Sequence, residues 1–190
     1  MPSAASSKWR VDASHRLGSA RHLASPNCDA RPADTAIDLL IIHHISLPPE
    51  EFGGPWIDQL FLNTLDCATD PYFAQLEGLR VSAHCCIFRD GAVTQYVPFD
   101  QRAWHAGQSC YQGRQACNDF AIGIELEGSG LQPFTDAQYE SLRQLTLALL
   151  ARYPELSAEH IVGHSDVAPG RKTDPGPLFD WQRYRASLGS

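Results

Sequence analysis

Residues 37–42 are apolar except for Asp38, and the run ends in His43. Continuous apolarity predicts a central strand over 37–43, covered on both faces. A different pattern runs from Phe120 to Glu127 and has period two. Phe120, Ile122, Ile124 and Leu126 face one side, and Ala121, Gly123, Glu125 and Glu127 face the other. Residues 81–88 and 93–97 also read as strands, joined by Arg89-Asp90-Gly91. Asp-Gly between two such runs is a hairpin signal. Ile57, Leu60, Phe61 and Leu65 recur at helical spacing after Pro55, which suits a first helical turn, so a helix is predicted over 55–65. Thr135-Asp136-Ala137-Gln138 has the form of a capping box. It opens a helix with Tyr139, Leu142, Leu145, Leu149 and Leu150 on one face, stopped by Pro154. A short strand at 160–164 leads into a Pro/Gly-rich loop.

Strands and helices interspersed in hairpin and crossover order predict an α/β protein with a single central mixed β-sheet flanked by α-helices. Residues 1–20 are Ser/Ala/Arg-rich without periodicity and read as a mobile or loosely docked tail, leaving 21–190 as a single catalytic domain. Residues 66–80 read as a loop with a short helical piece carrying Pro71-Tyr72-Phe73. The segment 98–118 is long and irregular, with Trp104-His105-Ala106-Gly107 inside it. Long ordered loops in compact domains are often functional.

Composition narrows the partners. A 190-residue chain that is 43% hydrophobic buries a core and is not disordered as a whole. The net charge is −7, and no Lys/Arg cluster is long enough to track a phosphate backbone, so no nucleic-acid partner is expected. No stretch approaches the roughly 20 apolar residues of a membrane helix, and the N-terminus lacks the apolar core of a signal peptide. Cys28, Cys67, Cys85, Cys86, Cys110 and Cys117 show no C-x-x-C spacing and read as reduced, mostly buried thiols. The expectation is a cytoplasmic monomer.

Three residues stand where metal ligands belong: His43 after its strand, His164 after Ile161-Val162-Gly163, and Asp174 in Lys172-Thr173-Asp174-Pro175-Gly176. Each alone has an ordinary structural reading. Two imidazoles and one carboxylate together leave one position of a tetrahedral zinc open, the mark of a catalytic rather than a structural site. His44 competes with His43, because successive strand residues point to opposite faces. Glu125 is the candidate general base, since Ala121 and Gly123 leave room above its face, and Glu127 is the competing choice. Lys172 is a candidate donor to a tetrahedral oxyanion. Tyr72, Trp104 and His105 are candidates to line a substrate cleft, and His84 is either a cleft or a core residue. A Cys86–His84 nucleophile ranks below zinc hydrolysis, because a thiol in a core strand loses reactivity.

The same residues carry a resemblance. Ser25-Pro26-Asn27, Leu40-Ile41-Ile42-His43, Ile45-Ser46-Leu47-Pro48-Pro49, Val81-Ser82-Ala83-His84, Arg102-Ala103-Trp104-His105-Ala106-Gly107, Asn118-Asp119-Phe120, Ile122-Gly123-Ile124-Glu125-Leu126-Glu127-Gly128, Gly163-His164 and Arg171-Lys172-Thr173-Asp174-Pro175-Gly176 occur in order. The chain resembles the zinc-dependent N-acetylmuramoyl-L-alanine amidases of the amidase-2 group, from about Ser25 to about Arg185. The resemblance implies the fold shared with peptidoglycan-recognition proteins and one zinc per chain on His43, His164 and Asp174. It implies that Glu125 and Lys172 assist catalysis, with Tyr72 as an auxiliary. It implies cleavage of the amide between (1,6-anhydro-)N-acetylmuramic acid and L-alanine of muropeptides, in the recycling of peptidoglycan fragments. His44 departs from the family, where Asn is frequent. Arg80, Arg102 and Arg114 are candidates to pair with carboxylates of a stem peptide. The rival readings are an amidase of intact peptidoglycan and a recognition module that binds without cleaving.

Overall fold

The computed structural model describes residues 9–189. Among the described residues, ten strands form three sheets: β1 Arg21–His22, β2 Cys28–Ala30, β3 Leu39–Ile45, β4 Cys85–Ile87, β5 Val93–Gln95, β6 Gln101–Ala103, β7 Cys110–Tyr111, β8 Arg114–Gln115, β9 Ala121–Glu127 and β10 Ile161–Gly163. The main sheet has the order β1-β5-β4-β9-β3-β10. Only β4 and β5 pair antiparallel in it; every other neighbour is parallel, so the sheet is mixed as the sequence predicts. The β4–β5 pair is the Asp90-Gly91 hairpin, shorter than predicted at both ends.

The two faces of the sheet have different cover. Leu40, Ile42, Ile122, Ile124, Leu126 and Cys85 pack in one cluster with Tyr139, Leu142, Leu145 and Leu149. Those last four lie on helix α2, Asp136–Arg152, which follows α1, Trp56–Phe61. The capping box is formed: Gln138 N donates to Thr135 Oγ1 at 3.1 Å, and Thr135 N donates to Gln138 Oε1 at 3.1 Å. The opposite face carries Leu39, Ile41 and Ala121 under a smaller cluster, then His43 and Glu125 toward the strand ends.

Three expectations change. The helix predicted over 55–65 is six residues long, because Leu62 leaves helical geometry and Asn63 takes a positive φ of 59°. Phe120 precedes β9 instead of opening it, and packs with Leu39 and Ile41. The predicted tail is docked from residue 9 onward. Val11 and Leu17 form a bridge and are buried, and Leu17 N donates to Gln95 Oε1 at 2.8 Å. Two apolar side chains inserted into the main core hold a segment whose composition alone looked unstructured. Residues 1–8 lie outside the described residues. Among the described residues, no helix is long and apolar enough to cross a membrane.

Candidate metal centre

His43 and Glu125 lie near the C-terminal ends of β3 and β9, and His164 follows β10 directly as the first residue of a short helix, α3 His164–Val167. The ends of adjacent parallel strands are where open α/β sheets place their sites. Asp174 is returned to His164 by the backbone, where Ser165 N donates to Asp174 O at 3.0 Å.

His43 Nδ1, His164 Nδ1 and Asp174 Oδ2 stand 3.0 Å from one another in all three pairs. All three residues are buried. His164 Nε2 lies 3.1 Å from the carbonyl of Ala106, which only accepts, so that nitrogen carries the hydrogen. The Nδ1 of a neutral His164 is then a lone pair aimed at a carboxylate oxygen and at a second imidazole nitrogen. Converging acceptors repel one another unless a cation or proton lies among them. The spacing is close to the roughly 3.3 Å that separates ligand atoms in a tetrahedral shell with bonds of about 2.0–2.1 Å. The residues therefore fit a metal ion of the zinc type. Burial pushes the His43 imidazole down to about 4, so it stays neutral near pH 7, as a ligand must.

The cluster lies at the floor of a cleft of about 380 Å³, whose lining includes Tyr72, Trp104, His105, Glu125 and Lys172. Leu79, 44% exposed, sits on its rim. Glu125 is half-buried, and its Oε2 is shielded and has no hydrogen-bond partner. Burial raises its carboxyl well above the ordinary glutamate value; the Asp174 charge raises it further and Lys172 opposes both. A carboxylate with a free oxygen and raised basicity, beside a lysine, is equipped to move a proton.

The open alternatives resolve by geometry. His44 lines the cleft but stays out of the three-atom cluster, and its Nδ1 is buried without a partner. Glu127 is buried with both oxygens occupied by backbone donors, Gly53 N at 2.6 Å and Arg89 N at 3.0 Å, so it has no oxygen free to act as a base. Cys86 is buried, and desolvation with the nearby Glu125 and Glu127 charges pushes its thiol well above its ordinary value, away from the thiolate a nucleophile needs.

The remaining candidates differ in their surroundings. His84 is fully buried: its Nδ1 accepts from Gly123 N at 3.0 Å, and its Nε2 lies between Gln101 O and the Arg31 guanidinium. It belongs to the core behind the site and does not reach the cleft. Arg80 is exposed and lines a smaller hollow that shares Leu60, Leu76 and Leu79 with the cleft. Arg102 forks onto Asp29 at 2.6 Å to each oxygen and also reaches Asp119, while Arg114 pairs with Asp38 at 2.5 Å. Both guanidinium groups are thus committed within the chain. The room above Gly123 is filled by the chain itself: a Cβ there would stand 2.4 Å from the His105 ring.

Sequence reasoning assigned no role to Asn118, Arg171 or the carbonyl of Ala106. Asn118 Oδ1 accepts from His105 N at 3.2 Å and from Ala106 N at 2.8 Å, and Arg171 donates to Ala106 O at 2.6 Å. Asn118 and Arg171 lie in stretches that carry the family resemblance, but their contacts join distant segments, so the pattern marks the residues without giving their partners.

Comparison with known proteins gives the same direction. Residues 33–177 match the Amidase_2 family, N-acetylmuramoyl-L-alanine amidase. The 1,6-anhydro-N-acetylmuramyl-L-alanine amidase AmpD of Enterobacter cloacae is 59% identical over 180 residues, covering 95% of this chain and 92% of its own. The crystal structure of a selenomethionine derivative of AmpD aligns with a TM-score of 0.90 at 58% identity, covering 92% of this chain and 97% of that one. The amidase AmiD of E. coli, in complex with the substrate anhydro-N-acetylmuramic acid-L-Ala-D-gamma-Glu-L-Lys, aligns with a TM-score of 0.59 at 34% identity, covering 83% of this chain and 60% of that one.

Proposed function

This chain belongs to the N-acetylmuramoyl-L-alanine amidase family, and from that membership we propose that it hydrolyses the amide between (1,6-anhydro-)N-acetylmuramic acid and the L-alanine of muropeptides, using one zinc held by His43, His164 and Asp174. The convergence of three acceptor atoms at 3.0 Å on the floor of an open cleft carries this reading. Zinc, when bound, supplies Lewis acidity, which lowers the pKa of a water molecule and polarises the scissile carbonyl.

The chain's own residues supply the rest. Glu125 Oε2, free of internal hydrogen bonds, takes a proton from the attacking water as the new C–O bond forms. The same oxygen then delivers that proton to the alanine nitrogen as the C–N bond breaks, leaving a muramoyl carboxylate and a free stem peptide. Lys172 presents its ammonium to the oxyanion that develops on the carbonyl. Trp104 offers a flat indole to a sugar face, and Tyr72 adds a phenol to the same lining. The six free cysteines are consistent with a reducing compartment and hence with cytoplasmic muropeptides returned for recycling.

The test is mass spectrometry of a purified anhydromuropeptide after incubation with the protein, with and without a chelator. Release of free stem peptide, abolished by the chelator and restored by zinc, is the expected result. Absence of cleavage by folded, zinc-loaded protein would overturn the muropeptide reading. Digestion of intact peptidoglycan would then place the substrate there, and binding without digestion would make the protein a recognition module.

A further inference from the structure

Both imidazoles of the cluster turn their second nitrogen toward the same two residues. His43 Nε2 lies 3.0 Å from His105 Nδ1, and His164 Nε2 lies 3.1 Å from Ala106 O. One dipeptide thus faces both rings from behind. That dipeptide is itself clamped. Asn118 Oδ1 accepts from both of its backbone N–H groups, at 3.2 and 2.8 Å. The His105 ring is seated on Gly123, in space that no other residue type would leave open. The Arg171 guanidinium donates to Ala106 O and, at 2.6 Å, to Gln108 O, which ties the dipeptide to the loop that carries Lys172 and Asp174.

We propose that His105 and Ala106, held by Asn118, are the positioning element of the metal centre, fixing both imidazoles so that Nδ1 and not Nε2 is presented to the ion. The inference rests on the metal reading given above. A ligand nitrogen must be a lone pair, so the other ring nitrogen carries hydrogen and needs an acceptor. Ala106 O is the acceptor in reach of His164, and His105 Nδ1 accepts from His43 in the tautomer that places the His105 hydrogen on Nε2, a buried atom with no partner of its own. A ring without that acceptor is free to rotate or to hold the other tautomer, and each microstate in which Nδ1 is unavailable lowers the affinity for metal. Asn118 acts one step further out. It is not itself part of the cleft lining, and its one side-chain oxygen sets the path of the chain at both contacts.

The test measures zinc affinity of the full-length protein by competition with a chromophoric chelator, together with the absorption bands of the cobalt-substituted form. Folding of each metal-free variant is followed by circular dichroism. Asn118→Ala should weaken zinc binding by on the order of 10- to 100-fold, the usual effect of losing an outer-shell contact. Asn118→Asp keeps an acceptor oxygen at the same place and should restore most of the affinity. His105→Phe keeps a flat ring over Gly123 but removes the acceptor, and should weaken binding by a similar factor and shift the cobalt bands. It serves as the second probe if Asn118→Ala does not fold. His43→Ala separates the two levels. If it binds zinc as tightly as the unmodified protein, the ligand assignment itself falls. If it loses zinc while folded Asn118→Ala and His105→Phe retain full affinity and unchanged cobalt spectra, the positioning role is wrong and the ligand assignment stands.

Discussion

His43 and Glu125 are register partners on adjacent parallel strands, β3 and β9. Side chains paired in this way point to the same face of a sheet. The ladder therefore fixes the distance between the proposed metal ligand and the proposed base more firmly than any loop would. A one-residue slip would send one of them into the apolar layer under α2.

Glu125→Gln is expected to lower kcat by about 10²- to 10⁴-fold, the range for loss of a general acid–base. Zinc content, read by atomic emission on the purified variant, should match the unmodified protein. Equal loss of zinc and activity would mean that Glu125 serves the metal and not the proton.

The same substitution has a stability consequence with a definite sign. Burial raises the Glu125 carboxyl above its unfolded value near 4.5 in the metal-free chain. The folded state then holds a proton that the unfolded state has released. Its favourable contribution is present below the unfolded value and is lost as pH rises through the folded one. Metal-free Glu125→Gln should therefore show a higher Tm than the metal-free parent at pH 7, with the difference shrinking toward pH 4. Thermal melts at those two pH values decide it.

Lys172→Met is expected to reduce kcat by roughly 10²- to 10³-fold while changing KM little, as for removal of one oxyanion donor. A change confined to KM in steady-state assays would reassign the lysine to substrate binding.

Metal removal should be visible without any substrate. An ion at 1,000 times its dissociation constant stabilises the folded state by about 4 kcal/mol. For a chain of this size that corresponds to a fall in Tm of roughly 8–16 °C on chelation. The Tm of His43→Ala should not respond to the chelator in the same calorimetric scan.

Thr135→Ala provides a contrast far from the cleft. It removes the capping box of α2 and should cost about 0.5–2 kcal/mol in urea denaturation. Turnover per bound zinc should be unchanged, because α2 packs on the opposite face of the sheet.

What could be read from the sequence follows from how local each signal is. The alternation through Ile122, Ile124 and Leu126 against Gly123 and Glu125 is a property of one strand, and it survives folding. The Thr135/Gln138 cap and the Asp90-Gly91 turn are likewise contained within a few residues. His43, His164 and Asp174 were marked because each follows a strand or turn that aims it, and the structure brings the three together. The failures involve distant partners. His84 reads equally as a cleft or a core residue, and it is the guanidinium of Arg31, 53 residues away, and the backbone of Gly123 that enclose it. Arg102 looked free for a ligand until Asp29 and Asp119 arrived from separate segments. Val11 and Leu17 lay in a polar stretch, and two side chains without periodicity gave no sign that they enter the core.

The two-sidedness of β9 sets where this protein is free to vary over time. From Ala121 to Glu127, one set of side chains is packed under α2 and the other meets the smaller apolar cluster, His105, the cleft or the backbone of Gly53 and Arg89. Hardly a position in that strand is neutral to exchange. Leu79, in contrast, stands exposed on the rim of the cleft, where a different side chain would meet a different sugar or peptide at little cost to folding. Exchange at the edges of the cleft thus alters what the site meets, while exchange within β9 disturbs the sheet that holds it.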